Sequence, residues 1–159
     1  MMNNGKTKEQ LLKEHQQLTA ELCKVKQEFN LMLSNIPAMV FKGYADWSVD
    51  FYSNRVEEMI GYSKSAFDSR LLKWTNILLE DDMDHARFVF LKALKTDHNY
   101  VREYRIKCKN GQIKWIQERS YIVCDPTGQI EYISGIFFDI TEQVLNESLL
   151  EYSDSLEEV

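Results

Sequence analysis

The first part of the chain carries a narrow apolar stripe at helical spacing. Residues 6–34 contain no Gly or Pro and are rich in Lys, Glu, Gln and Leu. Apolar spacings that alternate between four and three residues, with His15 included, predict a helix with a heptad seam. The apolar seam residues are Leu11, Leu18, Leu22, Val25, Phe29 and Met32. We expect a second copy of the helix to cover this seam, and packing on the helix's own domain is the alternative.

The middle of the chain alternates between strand-like and helix-like patterns. Two short strands are predicted at residues 39–43 and 49–52. A short helix then begins at Asn54, in a capping-box pattern, and ends at Gly61. Farther along, the acidic residues 80–82 precede apolar residues at helical spacing, with lysines at the far end, as the helix dipole favours.

Two long runs flank Asn-Gly at 110–111 and predict a β-hairpin. A two-residue loop would place like charges opposite one another, which destabilises a strand pair. A three-residue loop with the glycine left-handed instead pairs Arg102 with Glu118. We therefore favour this register, which also predicts that Trp115 lies on the opposite face of the sheet from Tyr104.

The last predicted strand, residues 130–138, is apolar at both alternating sets of positions. This pattern is typical of a central strand that is covered on both faces. We expect the N-terminal helix or a second subunit to cover the face that the domain's own helices leave free. A further helical pattern begins at Thr141, and no Lys or Arg follows Arg119. The continuation or partner of this acidic helix is therefore expected outside the chain.

Composition limits the possible partners and location. The 159 residues are 44% hydrophobic and 12% aromatic, enough for one compact core, and the formal net charge is −6. Because phosphates would be repelled, we expect no nucleic acid and no direct membrane contact. Cys23, Cys108 and Cys124 lack zinc-site spacing and are expected to be reduced thiols in the cytoplasm. With no signal peptide and no spanning run, any membrane anchor of a parent protein would lie elsewhere.

Several short stretches, each weak alone, occur together in a specific order over residues 35–142, two-thirds of the chain. Together they resemble the PAS domain with its C-terminal PAC motif. The matching stretches are Phe51-Tyr52-Ser53-Asn54, Ile60-Gly61-Tyr62-Ser63, Leu79-Glu80-Asp81-Asp82, Arg102-Glu103-Tyr104-Arg105, Asn110-Gly111, Lys114-Trp115-Ile116 and the run from Gly135 to Glu142.

The resemblance implies an α+β fold, with a five-stranded antiparallel sheet, short helices on one face and flanking helices at both ends. It also implies a sensory module, often dimeric, upstream of an output domain such as a histidine kinase or diguanylate cyclase. We expect a dimer helix at 1–34, the PAS domain at 35–142 and the start of a signalling helix at 143–159. One departure is Trp47, in a first turn where many members have glycine, which leaves the shape of that turn in doubt.

At the matching positions, the sequence lacks the residues that PAS domains are known to use for binding flavin or haem. Flavin-photosensing members use a reactive cysteine on a helix in an Asn-Cys-Arg context, which is missing here. Haem-binding members use a histidine on the long helix, and His85 is about one residue out of phase with that pattern. We expect no flavin–cysteine photochemistry, haem or metal site, and either a small organic ligand or none. Asp81 and Asp82 are interpreted as a helix start, and no catalytic motif appears, so the chain is expected to be regulatory and not an enzyme.

The candidate ligand pocket is the space between the sheet and the short helices. An apolar aromatic cluster fits both a ligand pocket and a filled core, and the sequence does not separate the two. Arg102 and Glu118, if they face inward, form either a ligand handle or a self-satisfied ion pair, and the ion pair is favoured. The candidate lining residues are Phe41, Phe51, Met59, Phe67, Trp74, Phe88, Tyr104, Ile116 and Phe138.

The strand-to-helix junction is the predicted signal relay. Its residues are Asp139, Ile140, Thr141 and Glu142. We expect a ligand or redox change in the pocket to shift the last strand and re-orient this junction. A ligand-free dimerisation or docking module is the alternative, favoured if side chains already fill the core.

Overall fold

The computed structural model describes residues 5–157 of the chain. The chain forms two compact units, which divide between Ile36 and Pro37. The predicted dimer helix at 1–34 and the predicted signalling helix at 143–159 each extend beyond this range, so residues 1–4 and 158–159 lie outside the described residues.

From residue 5 onwards, the N-terminal unit contains one helix, α1 (Lys8–Asn35), as the apolar spacing predicts. It begins at a capping box: the Gln10 N–H donates to Thr7 Oγ1 at 3.2 Å, and the Thr7 N–H donates to the Gln10 side chain at 2.9 Å. The six apolar seam side chains are 44–68% exposed. The helix is therefore confirmed, and the partner that covers its seam stays a prediction.

The second unit is a five-stranded antiparallel sheet with helices, which confirms the predicted α+β class. Its strand order is β2-β1-β5-β4-β3. The strands are β1 (Met39–Gly43), β2 (Val49–Phe51), β3 (Asn99–Lys107), β4 (Ile113–Cys124) and β5 (Ile130–Asp139). The helices are α2 (Arg55–Ile60), α3 (Lys64–Asp68), a short 3-10 helix (Trp74–Asn76), α4 (Glu80–Leu94) and α5 (Thr141–Glu157).

The β3–β4 hairpin has the register that charge pairing predicts. Arg102 pairs with Glu118 and Arg105 pairs with Trp115. The three-residue loop is closed by a hydrogen bond from the Cys108 N–H to the Gln112 carbonyl oxygen, and its glycine has a φ of 87°. Because side chains alternate along a strand, Trp115 lies on the opposite face from Tyr104, as predicted.

Strand β5 lies at the centre of the sheet, between β1 and β4, as its apolar sequence predicts. Its inward residues Ile133, Gly135 and Phe137 are buried, and its outward residues Ile136 and Phe138 are half-buried. Gly135 is required there, because a Cβ would lie 2.6 Å from the Phe41 ring. The outward face of the sheet carries a groove of about 520 Å³ among β1, β3, β4 and β5.

At the two ends of α2, the predicted C-terminal cap is confirmed and the predicted N-terminal capping box is wrong. Gly61 ends the helix in the left-handed conformation, with a φ of 84°, as predicted. Asn54 precedes the helix, but its side chain makes no capping hydrogen bond. The capping-box interpretation of Asn54 and Glu57 was therefore wrong.

Candidate functional site

The helices and the inner face of the sheet enclose an aromatic stack, which we call the cup. The Phe137 ring on β5 lies between two parallel rings, 3.9 Å from Phe41 on β1 and 4.1 Å from Trp74 on the 3-10 helix. Phe51 and Phe67 pack edge-on beside it, with their ring centroids 5.1 Å apart. Such stacked and edge-to-face rings stabilise a core beyond their buried area, so the stack holds the short helices against the sheet.

A buried carboxylate lies beside the stack. Glu118 on β4 is 1% exposed. Its Oε1 accepts hydrogen bonds from the Tyr100 hydroxyl at 2.7 Å and the Ser120 hydroxyl at 3.0 Å. Its Oε2 accepts from Arg102 Nε at 2.8 Å and from the Tyr104 hydroxyl at 2.7 Å. Each oxygen therefore accepts two hydrogen bonds, so the ion-pair interpretation holds and neither oxygen is free to act as a base.

Further hydrogen bonds tie this network to the helices. The Trp74 Nε1–H donates to the Tyr104 hydroxyl at 2.7 Å, and Arg102 Nη1 donates to the Ala86 carbonyl on α4 at 2.7 Å. No fully buried side-chain nitrogen or oxygen among residues 5–157 lacks a partner. The network therefore connects the sheet to both the 3-10 helix and α4.

Burial and charge shift the titration of this network. Burial and the Glu118 carboxylate raise the pKa of Tyr100 and of Tyr104 above their usual range. Burial alone would lower the pKa of Arg102, but the Glu118 carboxylate, together with Tyr104 and Tyr100, outweighs it and raises that pKa. Both tyrosines thus stay neutral donors and Arg102 stays charged at physiological pH.

The space left inside the cup is small. A cavity of about 30 Å³ lies between the network and the β1–β2 turn, which is two to three times the roughly 10–15 Å³ that a cavity needs to hold one water molecule. Pockets that hold drug-sized ligands measure about 300–1,000 Å³. The lining residues are Phe41, Gly43, Tyr44, Ala45, Trp47, Ser48, Val49, Trp74, Phe90, Tyr100, Arg102, Glu118, Ile133 and Phe137.

The β1–β2 turn closes one side of this cavity in an unusual conformation. Trp47 has a φ of 67°, in the left-handed region, which costs a residue with a Cβ about 1–2 kcal/mol. Its carbonyl accepts from the Trp74 N–H at 3.2 Å, and its indole covers the Arg102 guanidinium at 4.6 Å. Hydrogen bonds from Ser48 lower the pKa of Asp46 to about 2 and stabilise the turn. These contacts hold a bulky residue where the backbone favours glycine.

A second polar cluster joins β5 to α5, and we call it the junction. Asp139 Oδ1 accepts hydrogen bonds from the Thr141 N–H at 3.0 Å and from its hydroxyl at 2.6 Å. Thr141 Oγ1 in turn accepts from the Trp115 N–H on β4 at 3.0 Å. Lys114 Nζ lies 3.1 Å from Asp139 Oδ2 and donates to the Met59 carbonyl on α2 at 2.7 Å. The junction therefore links the start of α5 to β4 and, through Lys114, to α2.

The other two predicted relay residues, Ile140 and Glu142, make fewer hydrogen bonds than Asp139 and Thr141. The Ile140 N–H donates to the Trp115 carbonyl at 3.0 Å, which extends the pairing of β5 with β4 by one residue. Glu142 is exposed on the first turn of α5. Burial raises the pKa of Asp139, but hydrogen bonds from Thr141 and Lys114 outweigh it and hold that pKa below its usual range. The relay role of all four residues stays a prediction.

The structure brings together most of the predicted pocket residues. Met59 is half-buried at the edge of the core. The six that are buried in the core are Phe41, Phe51, Phe67, Trp74, Tyr104 and Ile116. Their role in ligand binding stays a prediction.

Two of the predicted pocket residues were wrong. Phe88 is 64% exposed, because α4 turns Ala86 and Ala93 towards the sheet instead. Phe138 lies on the outward face of the sheet, because its neighbour Phe137 occupies the inward position.

Sequence reasoning missed several residues of the cup. The inward position of Phe137 could not be predicted, because its strand is apolar at both alternating sets of positions. Tyr100 and Ser120 lie on the same face of their strands as Arg102 and Glu118, and this alternation is the sequence signal that could have identified them.

Outside the cup, Asp82 was interpreted as a helix start, but it also binds the Arg105 guanidinium at 2.7 and 2.9 Å.

An antiparallel sheet in this order, with short helices over one face and a hydrogen-bonded exit into a helix, is the arrangement that the resemblance implies. The PAS fold family model matches residues 49–137, and the chain belongs to this family. The role in sensing and signalling that the resemblance implies is therefore confirmed, and the fold is a regulatory one.

The relatives are much longer proteins. The chain is 30% identical over 117 residues to a methyl sulfide methyltransferase-associated sensor of Methanosarcina acetivorans, covering 73% of the chain and 12% of that protein. It is 32% identical over 84 residues to the probable diguanylate cyclase DgcE of Escherichia coli, covering 52% of the chain and 8% of that protein. A sensory box histidine kinase/response regulator structure from Burkholderia thailandensis aligns with a TM-score of 0.66 at 22% identity, over 82% of this chain and 98% of that one.

Proposed function

We propose that this chain senses a small ligand or another cue in the cup and relays it through α5 to an output domain in the same parent protein. A histidine kinase or a diguanylate cyclase is the output we favour, because the chain resembles PAS-containing proteins of these kinds. The domain limits that go with this proposal are residues 1–34 for the dimer helix, 35–142 for the PAS domain and 143–159 for the start of the signalling helix.

The junction is the observation that carries the proposal. Asp139 and Thr141 connect the central strand β5, the neighbouring strand β4 and the first turn of α5 by hydrogen bonds of 2.6–3.0 Å. Phe137, two residues before Asp139, lies in the middle of the aromatic stack. A displacement of β5 in the cup would therefore change the position of the first turn of α5. A ligand drives this change only to the extent that it binds the two positions with different affinity.

The chain contains an internal control for testing this relay. In the β4–β5 turn, Asp125 Oδ1 accepts from the Thr127 N–H at 2.8 Å and from its hydroxyl at 2.5 Å. This Asp-Xaa-Thr motif repeats the local hydrogen bonds of Asp139 and Thr141. It differs in its tertiary contacts, because the Thr141 hydroxyl also accepts from a neighbouring strand and Asp139 also pairs with Lys114. Asp125 instead accepts a further hydrogen bond from the Gln129 N–H within its own turn.

The test compares two double variants in the full-length parent protein. D139A/T141A is expected to abolish the change in output activity that the cue produces, and D125A/T127A is expected to leave it intact. Equal regulation in both variants would sink the relay proposal. Circular dichroism of both variants verifies that each is folded.

We also propose that the chain forms a homodimer through the α1 seam, as a coiled coil in the cytoplasm. Support comes from the exposed apolar seam on α1 and from the three free cysteines, which are typical of a reducing compartment. Sedimentation equilibrium is expected to give a dimer for the wild type and a monomer for L18K/L22K. The control K13E/K24E, which changes charge on the side of the helix away from the seam, is expected to stay dimeric.

A second candidate function is a ligand-free dimerisation or docking module. The observation that favours it is the small cavity of about 30 Å³ in the cup. Native mass spectrometry followed by denaturing spectra distinguishes the two functions. A small mass that is lost on denaturation supports the sensor, and a dimer without added mass in cell-purified protein supports the docking module.

A further inference from the structure

The Arg102 guanidinium has unused hydrogen-bonding capacity inside the cup. Nε donates to Glu118 and Nη1 donates to the Ala86 carbonyl. Nη2 makes no hydrogen bond with any residue in the described range 5–157, although Arg102 is only 6% exposed. Since no fully enclosed nitrogen in this range lacks a partner, Nη2 remains accessible, and Arg102 lines the small cavity.

The surroundings of Arg102 restrict where a ligand can reach it. The Trp47 and Tyr100 rings lie 4.6 and 4.9 Å from the guanidinium carbon. Rings at these distances occupy the space over a guanidinium, so a ligand must approach Nη2 in the guanidinium plane, from the cavity. The site therefore suits one hydrogen-bond acceptor at a defined position.

The charge of the site indicates what kind of acceptor it takes. The Arg102 charge is already balanced by Glu118, at 2.8 Å. A second anion would bring unpaired negative charge into a buried region, and a cation would meet the guanidinium, so both are disfavoured. The rest of the lining is mostly apolar, including Phe41, Val49 and Ile133.

We propose that a small neutral molecule with a carbonyl or hydroxyl acceptor and a short apolar body binds at Arg102 Nη2, and that the Trp47 indole is the gate to this site. This inference rests on the proposed sensory function, for which it names the ligand class. Trp47 is suited to gating because it lines the cavity and its indole covers the Arg102 guanidinium at 4.6 Å. At about 30 Å³ the closed cavity admits only very small molecules, so a larger one requires the indole to move.

The experiment titrates the whole isotope-labelled chain with three probes, followed by NMR. Acetamide and acetate have matched size and differ in charge, and benzamide is a larger neutral amide. Acetamide is expected to shift the Arg102 Nε–H and Trp74 indole signals and to leave the Trp115 indole, on the other face of the sheet, unchanged. Acetate is expected to bind at least about tenfold more weakly, because it adds an unpaired buried charge.

The variant W47G tests the gate. Glycine accepts the left-handed backbone of this turn, so the turn should persist without the indole. We expect W47G to bind benzamide at least about tenfold more tightly than the wild type does, because the closed state no longer competes with binding. The control W115A removes an indole from the outward face and should leave benzamide binding as in the wild type.

Three results would overturn the proposal: equal binding of acetate and acetamide, no acetamide shift at Arg102, or equal benzamide binding in wild type and W47G. The relay has its own readout, the output activity of D139A/T141A, which uses none of these probes. Binding of acetamide with intact regulation in D139A/T141A would keep this site and reject the relay. Loss of regulation in D139A/T141A without acetamide binding would keep the relay and reject this site.

Discussion

The cup and the junction lie two residues apart on β5, yet they are held together in different ways. Phe137 lies in the cup between two parallel rings, beside a buried carboxylate that accepts four hydrogen bonds. Asp139 lies in the junction, where its side chain keeps 25% of its surface exposed. Water competes for polar contacts in the junction and is mostly excluded from the cup. We infer that the cup carries most of the stability, and that the junction can change its contacts at low cost.

The largest expected effect comes from breaking the polar network in the cup. The variant E118A leaves the buried Arg102 charge without its carboxylate, and we expect a loss of about 3–5 kcal/mol in the free energy of unfolding. Urea denaturation measures this loss. The matched junction variant D139A should lose far less, and equal losses would contradict the assignment of stability to the cup.

The next effect contrasts two neighbouring side chains on β5. The variant F137A removes the central ring of the stack, and we expect a loss of about 3–5 kcal/mol. F138A removes a half-buried ring from the outward face, and we expect a loss below about 1 kcal/mol. Thermal and urea unfolding of both variants test this order. A larger loss for F138A would show that the outward face is covered in solution.

A smaller effect separates the two Asp-Xaa-Thr motifs. D139A/T141A removes the carboxylate that accepts from the first N–H of α5, and we expect a loss of about 1 kcal/mol, typical of a lost helix cap. Faster hydrogen exchange is expected at the Trp115 and Thr141 amides. In D125A/T127A the changes should stay within the β4–β5 turn, and faster exchange at Trp115 there would refute the distinction between the motifs.

The smallest effect is a dependence on pH at the junction. The folded pKa of Asp139 is lowered, so the carboxylate stabilises the fold above its unfolded pKa of about 3.9, and this contribution is lost as the pH falls through the folded value. The difference in unfolding free energy between wild type and D139N should therefore be constant near pH 6 and shrink below about pH 4. A difference that grew in acid would have the wrong sign.

Local pattern and charge were enough to predict the hairpin and its register. One register places like charges directly opposite each other, and the other places opposite charges there. Because cross-strand neighbours lie only about 5 Å apart, this difference favours the second register. The same argument pairs Arg102 with Glu118 from charge alone, without reference to their burial. The tyrosine hydroxyls that complete this network were not predicted, because each bond depends on how strands and helices pack together.

The two wrong pocket residues have different physical causes. On β5, both Phe137 and Phe138 are apolar, so alternation does not say which one faces inward. On α4, Phe88 lies two residues from Ala86 and therefore on another side of the helix. Ala86 faces the sheet, and its carbonyl accepts from Arg102 Nη1. Hydrophobicity alone would place Phe88 inside and Ala86 outside, which is the wrong order where the sheet approaches the helix backbone closely.

By itself, the sequence determined the elements, their order, the central place of β5 and the family, because these follow from local periodicity, turn residues and the spacing of short motifs. Only the tertiary structure decided which aromatic rings meet, how little space they leave, and that Trp47 adopts a glycine-like backbone over Arg102. The physical reason is that volume and hydrogen bonding inside a core depend on several distant segments at once, whereas periodicity reports one segment at a time.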